Sequence, residues 1–349
     1  MPLNLEDIAR HSGVSRSTVS RVINNDPNVN EKTRAHVQAV IRQLNFQPNL
    51  AARSLASGRT RVLGLVIPQG VAYIFTEPYF SILIQSISQT CNALDHSIML
   101  WLAEPDYERR AIQHILHGGL IDGVIVSSML TDDAIVQALI EAQKPFMLIG
   151  RHPTNPQVNY VDADNRGGAQ LAVKHLLALG HRRIGLITGP LNTIASQDRM
   201  DGYKDAVREF QLELEPSLLV ESDYTEAGGF ASAQKLLQEE VTAIFAVSDT
   251  MAVGALRAIN ANGQRVPEDV ALIGFDDMNF APQLQPALTT VRQPITQLGA
   301  TAVTNLIAVL DGGETPVRQV NLPTELVIRA SCGALIQRVN LQTSEGNSA

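Results

Sequence analysis

From Val62 onward the chain repeats one arrangement, a strand-sized apolar run followed by a stretch long enough for a helix. The runs are Val62 to Ile67, Ile98 to Leu102, Gly123 to Val126, Phe146 to Ile149, Ile184 to Ile187, Ala243 to Val247 and Val270 to Gly274. Uninterrupted apolar runs of this length suit parallel strands buried on both faces, and the intervals give each strand a crossover helix. The expected class is therefore α/β, with doubly wound parallel sheets. Two roughly equal sets of runs imply two lobes, a layout that places ligands in the cleft beyond the carboxyl ends of the strands.

Such a chain could house a dehydrogenase or a kinase, but the phosphate-binding loops are missing. No G-x-G-x-x-G follows Val62 to Ile67, no G-x-x-x-x-G-K-[ST] occurs, and there is no G-x-S-x-G elbow. His114, His117, His152 and His181 show neither metal nor triad spacing, and Cys91 and Cys332 lie too far apart for a thiol metal motif. No enzyme activity, cofactor or metal is expected. Two distant cysteines, read as core thiols, suit a reducing cytoplasm. The N-terminus carries Glu6, Asp7, Arg10 and Arg16 where a secretion signal would be apolar, and no apolar run is long enough for a membrane span. The expected setting is cytoplasmic, with no membrane partner.

Charge is divided along the chain. Residues 1 to 61 hold nine Lys/Arg against four acids, +5, and the remainder holds 18 against 31, −13. A small basic module on a large acidic body directs phosphate attraction to one end of the molecule. Within that module Asn4 can cap a first helix with Leu5, Ile8 and Ala9 on one face, and Gly13 breaks it. Ser15 can cap a second helix, with Val19, Val22 and Ile23 on one side and Arg16, Ser17, Ser20 and Arg21 on the other. Asn30 caps a third, whose Val37, Val40, Ile41 and Leu44 would pack beneath the first two. The polar edge of the second helix has the chemistry of major-groove readout, because Arg can pair bidentately with guanine and Ser can serve bases or phosphates. The plainer reading is a solvated surface helix.

A second element follows, Phe46-Gln47-Pro48-Asn49-Leu50-Ala51-Ala52-Arg53-Ser54-Leu55-Ala56-Ser57-Gly58. Asn49 and Gly58 bound a helix of about two turns, too short to be stable alone, so its folding is expected to depend on partner and DNA. Leu55 could then enter the minor groove as an apolar wedge. Alternatively the segment is a flexible linker.

Leu5-Glu6-Asp7-Ile8-Ala9, Gly13-Val14-Ser15-Arg16-Ser17-Thr18-Val19-Ser20-Arg21-Val22 and the later Pro48-Asn49 with Ala51-Ala52-Arg53-Ser54-Leu55 resemble the lactose and galactose repressor family in order and spacing. The resemblance continues through Gly180-His181-Arg182-Arg183-Ile184-Gly185, Arg199-Met200-Asp201-Gly202-Tyr203, Asp249-Thr250-Met251-Ala252-Val253-Gly254-Ala255, Ile273-Gly274-Phe275-Asp276-Asp277 and Pro286 to Val291. It implies a homodimer on a pseudo-palindromic double-stranded operator. Ser15, Arg16, Ser17, Thr18, Ser20, Arg21, Asn24 and Asn28 would lie at the DNA, and Ala52 and Leu55 at the hinge. It also implies a body like that of periplasmic sugar-binding proteins, crossing between lobes near Tyr160 to Asp162, Thr290 to Gln293 and Leu322 to Thr324.

The expected organisation is a helix-turn-helix domain over 1–47, a hinge helix and linker over 48–61, a body over 62–340 and a polar tail over 341–349. Within the body, an N-lobe takes about 62–160 and 292–322, and a C-lobe takes about 161–291 and 323–340. For the small-molecule effector the resemblance implies Arg199 and Asp276, with Tyr224 against the ligand and Tyr79 and Phe80 from the other lobe. Arg151 and Asp249 are further candidates, although Asp249 could instead cap a helix starting near Thr250, as Asp164 could for one starting near Arg166. Ser248 stands where sugar-binding relatives often have Asn, and the loop Asn192 to Asp198 lacks the basic residue of purine-binding members. The resulting expectation is a transcriptional repressor controlled by a small molecule, a sugar or sugar derivative. A stand-alone solute-binding protein would show a signal peptide and no headpiece, and a regulator answering to another protein stays open.

Overall fold

The computed structural model describes residues 3–23, 26–46, 58–68, 70–102, 112, 115–127, 130–131, 133–312 and 317–334. They fall into two compact units, Met1–Arg61 and Val62–Ala349. Asn24, Ala52, Leu55, most of the expected hinge helix and the polar tail lie outside the described residues.

The first unit contains helices α1 (Leu5–Ser12), α2 (Arg16–Ile23) and α3 (Glu31–Gln43). Each starts where a side-chain oxygen meets an amide that the helix itself leaves unpaired. Asn4 Oδ1 accepts from the N–H groups of Glu6 and Asp7 at 2.8 and 3.1 Å, and Asp7 Oδ2 accepts from the Asn4 N–H at 3.0 Å. This reciprocal box fixes the start of α1. Ser15 Oγ accepts from the Thr18 N–H at 3.2 Å, and Asn30 Oδ1 from the Lys32 N–H at 2.8 Å. Gly13 ends α1 with φ of 64°, a left-handed turn that favours glycine. The apolar faces meet in a core of Ile8, Val19, Val22, Val37, Val40 and Phe46, with Ile41 and Leu44 partly buried at its edge. Phe46 thus belongs to the three-helix core.

The second unit is two six-stranded sheets flanked by helices. In chain order its elements are β1 (Val62–Ile67), α4 (Val71–Thr76), α5 (Pro78–Ala93), β2 (Ser97–Leu102), β3 (Gly123–Ser127), α6 (Ala134–Glu141), β4 (Phe146–Ile149), β5 (Tyr160–Ala163) and α7 (Asn165–Ala178). They continue with β6 (Ile184–Thr188), α8 (Ile194–Glu209), β7 (Leu219–Glu221), α9 (Glu226–Leu237), β8 (Ala243–Ala246), α10 (Asp249–Ala261), β9 (Ala271–Asp276), β10 (Thr289–Arg292), α11 (Ile295–Asp311), β11 (Gln319–Leu322) and β12 (Glu325–Val327). Strand order is β11-β5-β4-β3-β1-β2 in one sheet and β12-β10-β9-β8-β6-β7 in the other. Every pairing is parallel except β10 with β12.

All seven apolar runs form strands. Five further strands escaped that reading because polar residues interrupt them, among them Asp162 in β5, Arg292 in β10 and Glu325 in β12. Three of these five, β7, β11 and β12, are sheet edges, where one side meets water and continuous hydrophobicity is not required. The chain leaves the first sheet after Ala163, returns after Arg292 and leaves again between Leu322 and Glu325. The first of these crossings lies just past Asp162, because Tyr160–Ala163 pairs with both β4 and β11.

Leu63, Leu65, Ile125, Phe80, Ile87 and Leu306 help pack one face of the first sheet; Val66, Val124, Val126, Leu139 and Leu148 help pack the other. A separate cluster around Phe245, Ile273, Phe275 and Leu176 fills the second lobe. Cys91 and Cys332 are buried free thiols, and burial pushes the Cys91 thiol up to about 11. Replacing Asn4 with Ala removes the capping box at a cost of about 1 kcal/mol, which corresponds to roughly fivefold faster hydrogen exchange of the α1 amides. Exchange rates equal to those of the unaltered chain would show that the box contributes nothing.

Candidate functional site

In the headpiece, buried Val19 and Val22 turn the opposite edge of α2 outward. Arg16, Ser17 and Arg21 are exposed on it, while Thr18 and Ser20 are half-buried at its margins. Ser15 Oγ lies 2.8 Å from both Ser17 Oγ and Thr18 Oγ1, so the start of the helix is an organised hydroxyl cluster. The two guanidinium groups have only loose ion pairs, Arg16 with Glu6 at 3.9 Å and Arg21 with Asp26 at 3.8 Å. Exposed pairs at such distances contribute little, which leaves both forks available to an incoming acceptor. Asp26 also accepts from the Asn28 backbone and side-chain N–H groups at 2.9 and 3.1 Å. Its carbonyl takes a 2.6 Å bond from Arg34. One acid therefore braces the turn between α2 and α3.

In the body, the carboxyl ends of strands from both sheets converge on a cavity of about 740 Å³ counting its open mouth. Ser127, Gly150, Asp162, Ser248, Asp276 and Gln293 all stand at or just beyond strand ends and line it. Arg199, from α8, is buried at one wall. Its Nε donates to Asn165 Oδ1 at 2.9 Å and its Nη1 to the Val247 carbonyl at 2.5 Å, and the guanidinium lies 3.8 Å from the centroid of Phe275. Asp276 Oδ1 is 3.8 Å from Arg199 and accepts from Gln293 Nε2 at 2.6 Å. Asp276 and Asp277 adopt φ values of 120° and 59°, uncommon for residues with side chains. Arg292 and Arg329 brace Asp277 at 2.7 and 2.6 Å.

The apolar lining is aromatic. Tyr73 and Tyr79 meet Phe80 edge-on, with centroids 5.8 and 5.4 Å apart. From the opposite lobe comes buried Tyr224, with φ of 64° and its hydroxyl 2.6 Å from Ser196 Oγ. Its ring lies against Gly189, where a Cβ would approach to 2.3 Å, so only glycine admits this placement. Arg199, Asp276, Tyr224, Tyr79 and Phe80 are thus brought together.

Arg151 and Asp249 are not in the cavity wall. Arg151 forms a double contact with Asp198 of α8 and lies 4.0 Å from Asp162, while its neighbour Gly150 lines the cleft. Asp249 is fully buried behind the wall, accepting from the Thr290 hydroxyl at 2.6 Å and the Met278 N–H at 2.7 Å. It does not cap α10, because Ser248 does so, accepting from the Met251 N–H at 3.2 Å. Asp164 is a cap, bonded to the Gly167 N–H at 2.9 Å. The lobes touch across the cleft through Arg151 and Asp198, through a Leu130–Thr193 backbone bridge, and through the Thr250 hydroxyl, 3.1 Å from Glu77 Oε2.

Tyr73, Glu77, Asp162, Asn165 and Gln293 line the cleft without having been singled out in the sequence. Their signal is positional, each being close to a strand or helix terminus, and it becomes specific only once the crossings are known. Burial pushes the Glu77 and Asp162 carboxyls up to about 7 and that of Asp276 up to about 6; nearby Asp276 adds to the shift at Glu77, and Asp198 at Asp162.

A carboxyl raised in the folded state favours the protonated form. Its contribution to stability is complete below the unfolded value near 4 and is lost as pH rises through the folded value. Asp162→Asn removes one such group, so the thermal midpoint of the variant relative to the unaltered chain should rise between pH 5.5 and pH 8, roughly spanning the folded value. A pH-independent difference would mean that Asp162 titrates normally.

Residues 4–49 match the model for bacterial regulatory proteins of the lacI family, and residues 173–332 match that for a periplasmic binding protein-like domain. The HTH-type transcriptional regulator CelR of Thermobifida fusca is 37% identical over 332 residues, covering 94% of this chain and 97% of its own length. A solved CelR–cellobiose complex aligns with a TM-score of 0.75 at 34% identity, covering 94% of this chain and 99% of that one. A Lac repressor dimer bound to operator and the anti-inducer ONPF aligns with a TM-score of 0.83 at 29% identity, covering 95% and 99%. With its helix-turn-helix headpiece and two-lobed binding-protein body, this chain belongs to the lacI family of bacterial regulatory proteins, DNA-binding regulators and not enzymes.

Proposed function

We propose that this protein is a repressor that binds a pseudo-palindromic operator as a homodimer and responds to a carbohydrate held between the lobes of its body. The observation that carries the reading is the convergence of buried Arg199, Asp276 and Gln293 with Tyr79, Phe80 and Tyr224 on one cleft. Acceptors and donors in fixed positions can grip adjacent hydroxyls by charge-assisted bonds, and aromatic rings cover the apolar faces of a sugar. The CelR–cellobiose complex and the operator-bound Lac repressor dimer supply the same reading by likeness.

On the DNA side, Arg16, Ser17 and Arg21 are assigned to base edges. Ser15, Thr18, Ser20, Asn24 and Asn28 are assigned to neighbouring contacts, and Ala52 and Leu55 to the hinge at the operator centre. In the body Arg151 acts as a clamp between lobes and Asp249 as a buried support. Ligand adds contacts in the closed cleft, so it shifts the lobes toward that state and changes the operator affinity of the dimer by differential affinity for two states.

Two experiments test the proposal. Genomic DNA captured by the full chain defines an operator, and exchanging Arg16 with Ser17 should then change the preferred sequence, each lost bidentate contact being worth about 1–3 kcal/mol. An unchanged preference in the exchanged protein removes α2 as the reading edge. Asp276→Asn preserves shape and removes charge. It should weaken cellobiose binding in calorimetry by about tenfold to a hundredfold, in line with about 1.5–3 kcal/mol for a hydrogen bond to a charged group. Operator affinity without sugar should stay the same. Failure of a broad neutral and amino-sugar panel to bind the unaltered chain would overturn the carbohydrate reading.

A further inference from the structure

The three carboxylates that line the cleft differ in what faces them. Asp276 has Arg199 at 3.8 Å, and Asp162 has Arg151 at 4.0 Å, although that arginine is chiefly engaged by Asp198. Glu77 is met by the Thr250 hydroxyl, 3.1 Å from its Oε2, and the charge that acts on it is a second acid, Asp276. It is 7% exposed, at the start of α5, among the rings of Tyr73, Tyr79 and Phe80. Among the described residues, the wall therefore presents a buried acid that forms no ion pair, in a lining that also carries aromatic groups.

Removing a carboxylate from water without a counter-charge is costly, so a closed cleft has two ways to hold Glu77: take up a proton, or receive a cation with the ligand. The surroundings favour the second. An ammonium group placed beside Glu77 would meet the carboxylate directly, in a lining that also carries Tyr73 and Tyr79, and the attraction between the two charges grows once water is excluded. A neutral sugar supplies no such cation.

Building on the carbohydrate reading, we infer that the effector carries an ammonium group, as an amino sugar does, and that Glu77 is the specificity-determining residue that receives it. Glu77 is placed for this from one lobe while Thr250 holds its other side from the opposite lobe, so the ammonium group would be recognised where the lobes meet.

Calorimetry on the full chain at neutral pH tests this with matched pairs. These are D-glucosamine and D-glucose, D-galactosamine and D-galactose, and the β-1,4-linked glucosamine disaccharide with cellobiose and with its own N-acetylated form. The free amine should bind at least about tenfold more tightly than its neutral counterparts in one or more sets. In Glu77→Gln, which keeps an amide oxygen near Thr250, the ratio of amine to neutral-sugar affinity should fall from at least about tenfold to about one. Neutral sugars binding as tightly as amines would overturn the inference and leave the carbohydrate effector standing. An amine preference that survives Glu77→Gln would remove Glu77 as its cause. Binding of none of these compounds would remove the carbohydrate reading and this inference together. Comparison of the free and N-acetylated disaccharides on the unaltered chain keeps the charge test independent of any folding defect in the variant.

Discussion

The burial of Arg199 is the constraint around which the body is organised. A guanidinium that cannot lose its proton must find acceptors wherever it is enclosed, and here they come from three parts of the chain: Asn165 on α7, the Val247 carbonyl after β8, and Asp276 at the end of β9. Phe275 covers the remaining face. Those partners fix the ends of β8 and β9 relative to α7 and α8, and with them the second lobe's half of the cleft. The uncommon backbone of Asp276 and Asp277 persists because Gln293, Arg292 and Arg329 hold both carboxylates from the neighbouring segments.

The first lobe answers with aromatic groups and acids. Its contacts with the second lobe include polar ones, Arg151 with Asp198, Glu77 with Thr250 and one backbone bridge, and apolar ones, since Met278 and Phe280 pack with the first lobe's core and Tyr73 against the second's. The raised carboxyls belong to the same economy of burial, since closure takes acids out of water with fewer cations than would neutralise them.

Local chemistry was legible in the sequence and long-range chemistry was not. The caps at Asn4, Ser15 and Asn30 and the break at Gly13 involve residues only a few positions apart, so the pattern contains them. Buried strands read as apolar runs for the same reason. Edge and crossover strands such as β11 and β12 carry polar residues and are defined by pairing with distant segments. Arg199 and Asp276 could be named from family likeness. The inward turn of Asp249 depends on Thr290 and Met278, and the engagement of Arg151 depends on Asp198, far along the chain. Glu77 had no distinguishing neighbour in sequence. That it forms no ion pair among the described residues is a property of the assembled wall.

The three crossings bear on how the polypeptide can be made. The first sheet lacks β11 until Leu322 has been added, and the second lacks β12 until Val327, so neither sheet is complete in vectorial synthesis before those strands emerge. The headpiece has no such dependence, since its core closes at Phe46. A nascent chain can therefore close the core of its basic module well before either sheet of the acidic body is complete.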